Sequence, residues 1–191
     1  MQLSSCKGRA IIRDSWFDTL WIGGPGILLF LTLRSLFPID VVPTASMEPT
    51  INVGDRVFVN KLHYARGGTP QRGEIVQFDS NFRNGLGDRE PVKFIKRVVA
   101  IPGDTVAIEA GQLVVNGDAV KEDYVTLATK DYAEIHVPAE HYFVLGDNRD
   151  ESYDSRFLGV IAEAQIQGRV SHTFSWSTLL TFPSRLHTDV H

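Results

Sequence analysis

Apolar residues crowd one end of this chain and alternate along the rest. From Thr19 to Leu33 the run TLWIGGPGILLFLTL carries no charge and lies between Asp18 and Arg34. Fifteen residues fall short of the roughly 17–25 of a membrane span. Extension to Phe37 gives nineteen, with Arg34 near one end where its guanidinium snorkels to the headgroups. The pattern predicts a transmembrane helix over 19–37, kinked at Pro25, with Trp16 and Trp21 at the interface. Lys7, Arg9 and Arg13 precede the run and only Arg34 closely follows it. That bias places the N-terminus in the cytoplasm and the rest outside. Two readings compete: a cleavable signal peptide, for which no small-x-small site follows before Pro43, and a buried core helix, for which no amphipathic period shows.

After Pro38 the runs become short and β-branched: Arg56–Asn60, Glu74–Phe78, Val92–Ile101, Thr105–Ile108, Gln112–Val115, Glu134–Val137, His141–Leu145 and Arg169–Trp176. Gly67-Gly68, Pro102-Gly103-Asp104, Ala110-Gly111 and Asn116-Gly117 separate them as turns. Gly103 to Val120 reads as a small hairpin excursion, and only Ala162–Ile166 as a short helix. The expected fold is mainly β, a compact antiparallel barrel, closed, or a folded sandwich, with one N-terminal transmembrane helix. The organisation follows: 1–18 a cytoplasmic segment, 19–37 the anchor, 38–180 an extracytoplasmic β-rich domain, 181–191 a polar tail.

Composition narrows the function classes. A net charge of −4 over 191 residues offers no general attraction for nucleic acid. Cys6 is the single cysteine, so no internal disulfide or paired-cysteine zinc site forms. The six histidines show no ligand spacing, and no glycine-rich phosphate loop is present outside the apolar run. No metal or cofactor is expected. A Ser-His-Asp triad is spatial and spacing does not exclude it, but nothing marks one out.

Three segments carry candidate chemistry. Val41 to Thr50 sets hydroxyl residues between Pro43 and Pro49, immediately after the apolar run. Gly146 to Arg156 alternates acids and arginines after an apolar strand, as an ion-pair network that pins a loop would. In Val92–Ile101, Lys93 and Lys96 are an odd number apart, so they face opposite sides of a strand and one points inward. A desolvated lysine loses its proton more easily and becomes a base able to activate a serine.

In order along the chain, these segments resemble the type I signal peptidases, membrane-anchored Ser–Lys proteases that remove signal peptides from exported proteins. The boxes are Ser46 to Ile51, Gly54 to Lys61, Arg72 to Phe78, Phe94 to Asp104 and Gly146 to Arg156. The resemblance implies Ser46 as nucleophile and Lys96 as general base, with Ser152 orienting the lysine. It implies an oxyanion hole from the Thr44 hydroxyl and the Ser46 backbone N–H, and site support from Asp147, Arg149, Asp154 and Arg156. Val42, Met47, Ile51, Phe94 and Ile95 are expected to line shallow pockets for small side chains. An extended substrate then adds as a strand between 40–45 and 92–96. The implied partners are preprotein signal peptides and the lipid bilayer, and the implied place is a bacterial inner membrane with the catalytic domain on the outer face; the oligomeric state stays open.

The chain departs from the family at Ala45, where glycine is usual, and at Asp40, where an aromatic commonly lines the groove. It is also short between Gly103 and Gly146, where many Gram-negative members carry a large second β-domain. A relative dedicated to one substrate, such as a pilin, and an inactive membrane-anchored domain that binds exported peptides remain as alternatives. The joint presence of Ser46, Lys96 and Ser152 argues against the inactive reading.

Overall fold

A helix, α1 (Ser15–Leu36), takes up the apolar run and continues through Pro25, with Arg34 in its last turn. The computed structural model describes residues 15–80, 92–125 and 129–174, with side chains from residue 24 onward. Ile27, Leu28, Leu29, Phe30, Leu31 and Leu33 stand exposed. Among the described residues no helix is long and apolar enough to cross a membrane. The side chains of the first part of the span expected over 19–37 lie outside those described. Residues 1–14 and the expected tail, 181–191, lie outside them as well.

The chain divides into two units, Met1–Leu36 and Phe37–His191. Among the described residues of the second, seven strands form one sheet: β1 (Ile39–Val41), β2 (Arg56–Asn60), β3 (Ile75–Ser80), β4 (Val92–Ala100), β9 (His141–Leu145), β10 (Ile161–Ala162) and β11 (Ile166–Phe174). Four more form a second sheet: β5 (Thr105–Glu109), β6 (Gln112–Val115), β7 (Asp118–Ala119) and β8 (Tyr132–His136). The orders are β1-β2-β11-β3-β4-β9-β10 and β7-β6-β5-β8. The recorded pairings are antiparallel.

The closed barrel among the expected architectures does not form. Among the described residues β1 and β10 end the large sheet without a ladder between them. The excursion after Gly103 recruits β8 to become a sheet of its own. Asn116 and Gly117 make its tight turn with φ of 55° and 83°, the left-handed pair that a two-residue hairpin loop requires. The helix expected at 162–166 is instead β10, a 3₁₀ turn (Glu163–Gln165) and the start of β11. The Gln165 side chain closes the turn by accepting the Ala162 N–H at 2.9 Å.

Period-two alternation places the core. Val76, Phe78, Val98 and Val144 form one buried cluster of the large sheet. Val99, Phe143 and Leu145 join Val106, Ile108 and Leu113 between the two sheets. A third cluster, Val42, Met47, Ile51, Val57 and Val59, lies beside the β1–β2 connection. Burying each of these larger side chains contributes about 1.5–3 kcal/mol. The third cluster fixes where the chemistry sits.

Candidate active site

Ser46 occupies the turn between β1 and β2. Two apolar anchors hold that turn: Met47 is 1% exposed and Ile51 fully buried. The backbone closes it, with Val42 N–H donating to Asp55 O at 2.9 Å, Gly54 N–H to Val42 O at 2.8 Å and Ile51 N–H to Met47 O at 2.9 Å. From the opposite side, Asn148 donates its backbone N–H to Ser46 O and its side-chain amide to Ala45 O, each at 3.2 Å. The Ser46 loop is thereby tied to the segment after β9.

Lys96 is the inward lysine of β4, 2% exposed, whereas the Lys93 side chain is 57% exposed. Its Nζ donates to Ser46 Oγ at 2.5 Å. Thr44 Oγ1 lies 3.3 Å from the same Oγ. Burial pulls the Lys96 ammonium down to about 8, against the partial opposition of Asp154 and Asp147. Each of those acids is paired with an arginine, and the Arg156 charge itself helps to lower the lysine. Asp147 accepts from Arg97 Nε at 2.9 Å and Nη2 at 2.6 Å. Asp154 accepts from Arg156 Nε at 2.8 Å and Nη2 at 2.9 Å. At pH 7 the shift raises the neutral fraction of Lys96 from about 0.03% to about 9%.

The loop after β9 is built from charge-assisted bonds. Asp154 accepts the Gly146 N–H at 3.0 Å and caps the short helix Ser155–Leu158. Arg156 also donates to Arg149 O at 2.6 Å and Ser152 O at 3.3 Å. Arg149 donates to Gly146 O at 3.1 Å and forks onto both oxygens of Glu122 at 2.7 Å. Asp147 takes the Thr50 hydroxyl at 2.5 Å, a second tie to the Ser46 loop. Ser152 is buried beside this frame, and among the described residues its Oγ has no hydrogen-bond partner. A bond from Ser152 to Lys96, as its implied role requires, is therefore absent in this arrangement.

Gly146 explains the packing of these parts. A Cβ there would lie 2.2 Å from Ser152 Oγ and 2.5 Å from Ser46 O, so only glycine lets the two serine segments meet. The sequence reading gave no role to Gly146, Asn148, Thr50, Arg97 or Glu122. A glycine directly after an apolar strand and before an acid-rich loop was the available signal for Gly146. Glu122 carried none.

A cleft of about 240 Å³ runs from Ser46 and Lys96 toward Val92. Val42, Met47, Phe94 and Ile95 line it. Ile51 does not: it is fully buried in the third core cluster, because the turn directs it under the loop that presents Ser46. β4 pairs with β3 from Val92 to Arg97, but with β9 only from Arg97 onward. β1 pairs with β2 alone. Among the described residues, 92–96 and β1 thus each keep one edge without a strand partner.

Residues 16–176 match the model of the family described as signal peptidase, peptidase S26. The chain belongs to that family. It is 38% identical to a probable signal peptidase I-2 of Synechocystis sp., over 87% of this chain and 76% of that protein. It is 37% identical to a signal peptidase I of Leptolyngbya laminosa, over 76% and 73% of the two chains. A crystal structure of a signal peptidase I from Enterococcus faecalis is 32% identical, with a TM-score of 0.46, covering 54% of this chain and 97% of that one. Membership makes the chain a serine peptidase, and within such a family a hydroxyl and a buried amine in contact are the parts that chemistry needs.

Proposed function

We propose that this peptidase cleaves signal peptides from exported preproteins after small residues, with Ser46 as nucleophile and Lys96 as general base. One observation carries the reading: a buried lysine, largely desolvated, has its Nζ on the hydroxyl of a serine held in a constrained turn. In the neutral state the Nζ lone pair takes the proton of Ser46 Oγ as that oxygen attacks the scissile carbonyl. The oxyanion that develops is met by the Ser46 N–H and the Thr44 hydroxyl, donors worth about 3–4 kcal/mol each in such sites. The lysine, now an ammonium, hands its proton to the leaving amine. A water then attacks the acyl-serine with Lys96 again as base. Ser152 supports the site from beside Gly146, and Asp147, Arg149, Asp154 and Arg156 hold the loop without transferring protons.

The substrate enters as an extended strand between the open edges of 40–45 and 92–96, held by backbone hydrogen bonds. Val42, Met47, Phe94 and Ile95 form shallow walls that admit alanine and exclude larger side chains. The exposed apolar side chains of α1 fit a lipid environment, with the segment before the helix on the cytoplasmic side and the catalytic unit outside. The test is cleavage of a preprotein bearing an Ala-x-Ala site by the detergent-solubilised full chain beside Ser46→Ala. Cleavage by the wild type alone is expected. Equal cleavage by both would remove Ser46 as nucleophile.

A further inference from the structure

Asp40 is the residue at which this chain departs from an aromatic groove wall, and it is not idle. Its Oδ2 accepts from the side-chain amide of Gln77 at 2.7 Å and from Lys93 Nζ at 3.3 Å. Gln77 is 2% exposed, a buried amide on β3 that faces Asp40 across the space between β1 and β4. Lys93 belongs to the cleft lining together with Val42 and Ile95. Asp79 stands opposite Lys93 in the β3–β4 ladder, as Gln77 stands opposite Ile95. At the end of the cleft away from Ser46 the lining lysine, Lys93, is bonded to the Asp40 carboxylate, which in turn holds the buried Gln77 amide behind it; the other polar lining groups include Thr44, Ser46, Lys96 and Glu151.

Strand geometry says which substrate residue meets this end. β9 covers β4 from Arg97 onward, so an added strand extends from Ser46 only toward Val92. Side chains alternate along a strand, and residues two apart lie on one face about 6.7 Å from each other. Ile95 and Lys93 are two apart on β4 and share a face. A substrate residue at −1, against Ile95 beside Ser46, puts its −3 residue against Lys93 and Asp40.

We infer that the Asp40–Gln77–Lys93 cluster makes the −3 subsite of this chain polar, selecting serine or another small hydrogen-bonding residue over valine and larger aliphatics. The inference rests on the peptidase reading above. A valine pressed onto the cluster strips water from a carboxylate and an ammonium without replacing its hydrogen bonds. A serine hydroxyl donates to Asp40 instead. Sites built to hydrogen-bond a hydroxyl discriminate more sharply than apolar hollows, by roughly ten-fold or more.

The experiment compares kcat/KM for two preproteins that differ only in serine or valine at −3, using the solubilised full chain. Wild type, Lys93→Met and Asp40→Leu/Gln77→Leu are measured; the double change leaves no buried amide orphaned, and Lys93→Met alters only an exposed side chain. The expected wild-type ratio favours serine by roughly ten-fold, falling to about two-fold or reversing in both variants. A wild-type preference for valine, or an unchanged ratio in the variants, overturns the cluster's role while leaving the peptidase reading intact. Absence of any Ser46-dependent cleavage by the wild type takes both down together.

Discussion

Replacing Lys96 by methionine separates the cost of burying a charge from its use. The lysine is 2% exposed, and its burial lowers the ammonium from 10.5 to about 8. Between those two values the unfolded chain binds more protons than the folded one, so stability rises with pH there. The penalty is complete below about 8 and fades as pH climbs toward the ordinary lysine value. At pH 7 it amounts to about 3 kcal/mol, and at pH 9.5 to about 1 kcal/mol. Methionine, similar in length, removes that penalty but forfeits the bond to Ser46, worth about 1 kcal/mol. Lys96→Met is therefore inactive yet about 2 kcal/mol more stable than wild type at pH 7, an advantage that all but vanishes at pH 9.5. Urea unfolding of both proteins at the two pH values reads the difference, and every other titrating group cancels in the comparison. A stability difference that does not change with pH would refute the desolvated-lysine account. The same titration sets the acidic limb of catalysis: kcat/KM rises about ten-fold per pH unit below about 8 and levels above it.

Three further outcomes follow from the geometry. Gly146→Ala drives a methyl into Ser152 and the Ser46 carbonyl, so cleavage falls by roughly 100-fold or more; near-normal kcat/KM would show that the two segments need not meet. Thr44→Val lowers kcat by roughly 100- to 1,000-fold with little change in KM, while Thr44→Ser keeps most of it; steady-state kinetics on a preprotein separate the two. Arg149→Met strands Glu122, whose side chain is 6% exposed, at a cost of about 3 kcal/mol, the lower end of such losses because the Tyr124 hydroxyl still donates to it. Arg149→Met/Glu122→Leu regains most of that stability in urea unfolding, and equal losses in the single and double variants would contradict the pairing.

Much of this molecule is local, and what is local was legible. Alternation located Arg56–Asn60, Gln112–Val115 and His141–Leu145 as strands, and Asn116-Gly117 as a hairpin turn, because side-chain period and left-handed φ are set within a few residues. The odd spacing of Lys93 and Lys96 required one lysine to point inward. Resemblance, not spacing, chose Lys96, and the fold buries that one. Tertiary structure alone decided the rest, since it depends on which strand edges meet across long stretches of chain. It turned Ile51 from a groove wall into core, left the large sheet open, and brought Gln77 from 37 positions away onto Asp40. It also set Glu122 against Arg149 and made Gly146 the contact between two serine segments. Periodicity tells a side chain which face to take; only the closure of one loop over another tells it what stands there, and the desolvation that lowers the Lys96 ammonium is a property of that closure.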